Sequence, residues 1–176
     1  DAAARRDTDA LFSMLTRRAQ QVYGPTAKAF AKEFGKDLTE GVGAFQREGS
    51  FEVALSVQAS PDWAVAVIAG HITHKGTTVY GAYGLPARKE GGAWKLELGG
   101  SVGFNPISPD EQLTTDSTPQ IATELDANEP ILEFAIWVDR TAIEAIVSPD
   151  SLLMNGEATV PIPPGRHTAI TFAATE

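Results

Sequence analysis

A chain of 176 residues, 43% hydrophobic and 21% charged, has the composition of an ordinary globular protein and the length for one large or two small domains. Its 14 Lys and Arg stand against 23 Asp and Glu, a formal net charge of −9, and no basic cluster is visible, which excludes a nucleic-acid surface built on phosphate neutralisation. The lack of cysteine excludes a disulfide framework and a thiolate metal site, and no apolar run approaches the ~20 residues that span a bilayer.

In chain order, Asp1 to Tyr23 reads as helix interrupted around Asp7-Thr8-Asp9, with Asp7 or Thr8 placed to accept a backbone N–H bond as the N-cap of the second segment. Leu11, Met14, Leu15 and Val22 recur at helical spacing and give that segment an apolar face. Gly24-Pro25 stops it. A third helix follows, with Ala27, Phe30, Ala31 and Phe34 as its stripe and Gly35 as its end. Gly41 to Phe45 is a glycine-rich link from helices to sheet.

Four strand-like runs then fill Ser50 to Gly100. Phe51, Val53, Leu55 and Val57 alternate with Glu52, Ala54, Ser56 and Gln58, the period-two pattern of a half-buried strand. Trp63 to Ile72 is apolar at nearly every position, as in a strand covered on both sides. A turn at His74 to Thr77 leads into Thr78 to Leu85, and Glu90-Gly91-Gly92 leads into Trp94, Leu96 and Leu98. The economical arrangement is a curved antiparallel meander. A two-residue Lys75-Gly76 turn sets His71 opposite Tyr80, whereas a three-residue loop sets His71 opposite Val79.

Arg5 to Leu11, the Phe30 to Gly35 helix end and Gly91-Gly92-Ala93-Trp94-Lys95-Leu96 together resemble the cystatin-like cone of the nuclear transport factor 2 and ketosteroid isomerase superfamily over about Asp1 to Gly103. Only six residues precede Asp7, where that family's first helix runs two to four turns, so residues upstream of Asp1 are expected to complete the domain. The resemblance implies a concave face with an aromatic-filled or ligand-binding cavity. Tyr23, Trp63, His71, Tyr80 and Trp94 are the residues expected to bind a ligand there.

Gly103 to Pro119 shifts to Pro, Ser, Thr and Asp and reads as a connection. Strand signals resume at Ile121 to Leu125, Ile131 to Val138, Ala142 to Val147, Ala158 to Ile162 and His167 to Ala173, with turns expected at Asn155-Gly156 and Pro163-Pro164-Gly165. Phe134 to Asp139 and Pro164 to Thr171 resemble a bacterial immunoglobulin-like module, although the segment is short for a sandwich of about 100 residues. The expected fold class is therefore α+β: N-terminal helices packed on a curved antiparallel sheet, followed by a small all-β sandwich-like domain. The boundaries are 1–103 for the cystatin-like cone, 104–119 for the linker and 120–176 for the immunoglobulin-like domain.

Catalytic chemistry finds little footing. His71 and His74 point to opposite faces of a strand and His167 lies in the other domain, so no metal site is expected. No nucleophile elbow or triad order is present, and the glycines of Gly81 to Gly84 sit in a strand, where they bend a sheet and do not cradle phosphate. Ketosteroid-isomerase-like members use a carboxylate base with a tyrosine hydroxyl. Here no Asp lies within a predicted strand from Ser50 to Gly100, and Glu52 and Glu97 fall out of phase with the apolar face, so both are expected in solvent. The expectation is a non-enzymatic binding or scaffolding protein of the two-domain, extracytoplasmic type, with no cofactor, no catalytic residue and no transmembrane segment in this chain. The partner is a protein or a small molecule. Exported or lipid-anchored location is implied by the immunoglobulin-like resemblance, with a lipid anchor upstream. The alternative is a small-molecule-binding or isomerase-like enzyme using the cone cavity.

Overall fold

A computed structural model describes residues 7–33, 49–98, 102–109, 114–148 and 152–175, and the chain divides into two units, Asp1–Gly99 and Gly100–Glu176. The expectations for Ala2 to Arg6, for Phe34-Gly35 and for the Gly41 to Phe45 link lie outside the described residues.

Among the described residues three short helices open the first unit: α1 (Thr8–Ser13), α2 (Arg17–Tyr23) and α3 (27–33). Each begins on a side-chain cap. Asp7 accepts from Ala10 N–H at 3.0 Å, Thr16 from Ala19 N–H at 3.1 Å and Thr26 from Ala29 N–H at 3.2 Å. Between α1 and α2 the chain is extended at Leu15. There Thr16 N–H donates to the Leu96 carbonyl (3.0 Å) and Leu96 N–H to the Met14 carbonyl (2.7 Å). Helix propagation gives way because these backbone groups are satisfied by the sheet. Leu15, Ala19 and Phe30 form a buried cluster that touches the sheet through Leu96 and Leu98.

The sheet of this unit has the order β1-β2-β3-β4, with β1 Gly49–Gln58, β2 Trp63–His74, β3 Thr77–Glu90 and β4 Ala93–Leu96. All pairs are antiparallel. Lys75-Gly76 is a two-residue turn with both residues at positive φ, so His71 stands opposite Tyr80. Register also sorts the faces. The row Val57–Val65–Pro86 is continued by Glu97, whose N–H donates to the Pro86 carbonyl, and Trp63, Val65 and Val67 are buried on that face. In β1 the register shifts between Val53 and Leu55, which leaves Ala54 without a partner. This bulge moves the apolar residues of β1 from one face to the other. Leu55 and Val57 join Val65 and Val67, whereas Phe51 and Val53 join Ile68, Ile72, Val79 and Tyr83 on the opposite face.

The second unit holds two further sheets, in the orders β5-β6-β10-β9 and β11-β7-β8. Their strands are β5 Val102–Ser108, β6 Gln120–Ala127, β7 Glu133–Val138, β8 Thr141–Ile143, β9 Ala145–Ser148, β10 Leu153–Glu157 and β11 Ala169–Ala174. Ile121, Leu125 and Met154 from the first sheet and Ile136 and Val138 from the second share one buried cluster.

Five expectations are corrected. Among the described residues strands hold 55% and three short helices 14%, so the α+β class of N-terminal helices packed on a curved sheet does not hold; the antiparallel sheets are the fold. Among the described residues the helices are short; their buried cluster packs on Leu96 and Leu98, and Arg17 N–H donates to the Glu90 carboxylate (3.2 Å). Val102–Ser108, expected mostly as linker, pairs with β6 and belongs to the second unit. Asn155-Gly156 is not a turn but the middle of β10, and Ala158 to Ile162 is not a strand. Glycine is needed there because a Cβ on Gly156 would stand 2.6 Å from the Glu144 carbonyl oxygen. Finally Glu97 is not in solvent. It is 4% exposed, on the sheet face it shares with the buried Val57 and Val65.

Candidate functional site

The five expected ligand-binding residues do not converge. Tyr23, at the end of α2, packs against the Leu15–Ala19–Phe30 cluster. Trp63 is buried, with the Arg88 guanidinium 5.3 Å from its ring centroid. Trp94 is half-exposed on the other sheet face, with the Lys89 ammonium 5.9 Å from its ring. His71 and Tyr80 alone come together, their ring centroids 5.6 Å apart. They stand eight residues along β2 from Trp63, roughly 26 Å at strand rise.

The outer half of the sheet carries the more consequential surface. All eight residues from Thr77 to Gly84 are exposed, and among the described strands β4 pairs only with Ala87 to Glu90 of β3. On one face the rows Val53–Ile68–Tyr83 and Ile72–Val79 flank Phe51, whose ring lies across Gly70; a Cβ on that glycine would stand 2.5 Å from the ring. Val53 is 64%, Val79 64% and Tyr83 63% exposed, so this is a solvent-facing apolar surface. On the other face Tyr80, 72% exposed, lies beside His71.

Two polar features stand apart from that surface. Neither carboxylate oxygen of Glu97 has a hydrogen-bond partner, although the side chain is buried. In the second unit, Val138, Ile143, Ala158, Val160, Ile162 and His167 are among the residues lining a hollow of about 120 Å³. At its rim His167 Nδ1 lies 2.8 Å from Asp139 Oδ2 and Nε2 lies 2.7 Å from the Pro163 carbonyl. A carboxylate and a carbonyl can only accept, so the two bonds are made together when both ring nitrogens carry protons, which favours the imidazolium. The bond to Asp139, then that to Pro163, hold the His167 pKa above its usual 6.5 against a smaller opposing effect of desolvation. At Asp139 desolvation pulls upward, and the His167 and Thr168 N–H bonds outweigh it, so its carboxyl lies below the usual 3.8. With both nitrogens engaged, His167 is a clasp and not a free base. Asp139 takes the left-handed conformation (φ 54°), and its N–H donates to the Thr168 carbonyl while Thr168 N–H donates back to Oδ1. The sequence signal that could have found this pair is Asp139-Arg140 between two strand-like runs, together with Gly165-Arg166-His167-Thr168 just before the last strand.

Among the described residues no group of three or more His, Asp or Glu is arranged to hold a metal ion, and no helix is long and apolar enough to cross a membrane. No family model, curated protein or solved structure matches this chain.

Proposed function

We propose that this chain is a non-enzymatic binding or scaffolding protein, and that the outer half of the β1–β2–β3 sheet is its binding surface. The observation that carries this reading is the exposure of Val53, Val79 and Tyr83 on one face around Phe51, Ile68 and Ile72. Contiguous apolar surface of this kind marks sites of association in soluble proteins, and the hydrophobic stabilisation forgone there is recovered when a partner covers it. The partner is a protein or small molecule that offers an apolar or aromatic surface. Export, with a lipid anchor upstream, belongs to the same proposal and is supported by the resemblance of Phe134 to Asp139 and Pro164 to Thr171 to immunoglobulin-like modules.

The test uses anilinonaphthalene sulfonate as an apolar probe. Its fluorescence with the intact chain is expected to exceed severalfold that with the Val53→Ser/Tyr83→Ser double variant, at unchanged circular dichroism. Equal signals from the two proteins would remove the support for this surface.

One observation favours a second reading, a small-molecule-binding protein or isomerase-like enzyme: the buried, unpartnered carboxylate of Glu97. Two unoccupied acceptor oxygens suit a guest that donates hydrogen bonds, and a carboxylate so placed is suited to proton transfer. A panel of enolisable ketones assayed for isotope exchange in deuterated water separates the readings. Exchange by the natural chain and not by Glu97→Gln supports the enzyme; none from either supports the binding protein.

A further inference from the structure

We infer that the edge of β3 that no described strand covers pairs with the same edge of a second copy of this chain, about a twofold axis at Tyr80. This rests on the reading of the outer sheet as a binding surface and names its partner. Sheet edges are ordinarily protected by charge, proline or a bulge, since unpaired backbone N–H and C=O groups template another strand. From Thr77 to Gly84 this edge holds no charged residue and no proline, and all eight residues are exposed. In a chain of net charge −9, that stretch is one where two copies meet without opposing like charges.

Two constraints limit the register, and Tyr80 is the axis that pairs the longest stretch within them. An antiparallel pair related by a twofold normal to the sheet keeps equivalent faces together, so its axis must pass through a residue. An axis at Gly81 would set the partner's Lys75-Gly76 turn beside Ala87 and Pro86, a lane already taken by Leu96 and Glu97. An axis at Tyr80 pairs Thr77 to Tyr83 with the same segment of the second copy and stops short of that lane. It sets Tyr80 against its own mate and extends the His71–Tyr80 ring contact, 5.6 Å within one copy, into a row of four rings. On the opposite face Val79 meets Gly81, beside the Tyr83 ring, which a Cβ on Gly81 would meet at 3.6 Å. Aromatic and β-branched cross-strand pairs of this sort stabilise a sheet, and the apolar face around Val53, Ile68 and Tyr83 then runs continuously across both copies.

The chain has no cysteine of its own, so single-cysteine variants report the register directly. Facing residues of an antiparallel pair have Cα atoms about 4.5–5.5 Å apart, within disulfide reach. Tyr80→Cys is expected to oxidise to a disulfide-linked dimer, while Thr78→Cys, opposite Ala82, and Tyr83→Cys, opposite Thr77, stay largely reduced. Sedimentation velocity of the natural chain over a concentration series should show dimer growing with concentration, and Tyr80→Lys should hold the chain monomeric at every concentration. Failure of Tyr80→Cys to cross-link, equal cross-linking of all three variants, or a natural chain that stays monomeric overturns the inference. If that happens while the probe still distinguishes the natural chain from Val53→Ser/Tyr83→Ser, the binding surface stands with a different partner. Loss of both signals ends both readings.

Discussion

His167 and Asp139 lie 2.8 Å apart, Nδ1 to Oδ2, across the mouth of a turn at β7–β8 and the start of β11. The linked protons fix the direction of the pH response. Because the folded pKa of His167 is raised above 6.5, its stabilisation is complete below 6.5 and is lost as pH rises through the raised value. Because that of Asp139 is lowered from 3.8, its stabilisation is complete above 3.8 and is lost as pH falls through the lowered value. The melting temperature of the natural chain should therefore exceed that of His167→Gln most between 3.8 and 6.5, with the gap closing at alkaline pH. An NMR titration of the His167 ring that shows an ordinary midpoint would sink this prediction.

Glu97→Leu should stabilise the fold. A buried polar group without a hydrogen bond costs about 1–3 kcal/mol, and more when charged, so replacing it by an apolar side chain removes that penalty. Urea unfolding should show a gain of about 1 kcal/mol or more. A loss of stability would mean that Glu97 has a partner in solution.

Gly156→Ala should destabilise by about 1–3 kcal/mol, the usual range for forcing an extra carbon into a packed site. Its Cβ would stand 2.6 Å from the Glu144 carbonyl, a backbone atom, whereas a Cβ on Gly84 would meet only Val65 Cγ1 at 3.5 Å. Gly84→Ala is therefore the control and should unfold at nearly the natural denaturant concentration. Equal effects would contradict the close strand approach at β10.

Val65→Ala and Val79→Ala remove the same two methyl groups from one hairpin. Val65 is 4% exposed and Val79 64%, so the first should lose about 1.5–3 kcal/mol and the second almost nothing. Chemical denaturation of the two variants side by side decides this, and similar losses would show that the outer face is covered.

Much of the first sheet was legible because its signals are local. Period-two alternation marked β1, apolar density marked β2, and Lys75-Gly76 and Gly91-Gly92 marked the turns. What escaped depends on contacts distant in sequence. Leu15 sits at a helical spacing yet pairs with Leu96, 81 positions on, and Glu97, out of phase with Leu96 and Leu98, falls on the face of the buried Val57 and Val65. Asn155-Gly156 shows the same limit: the dipeptide that favours a turn also suits a strand whose neighbour comes too near for a Cβ. Val102–Ser108 reads as a linker because Asn105 and Pro106 interrupt it, but an edge strand tolerates proline. The candidate surface followed the same division: His71 and Tyr80 were predictable neighbours once the turn was two residues long, whereas the open apolar face depends on a bulge that alternation alone does not reveal.

The unpaired Ala54 has a further consequence for how this molecule can change. By reversing which side of β1 is oily, it separates the residues that keep the sheet folded from those that meet the outside. Variation of the exposed side chains Val53, Val79, Tyr80 and Tyr83 beyond it is expected to be nearly free of folding penalty, whereas Gly49, Gly70 and the Lys75-Gly76 turn stay constant, so partner preference can drift or be redesigned there while the base of the hairpin is kept.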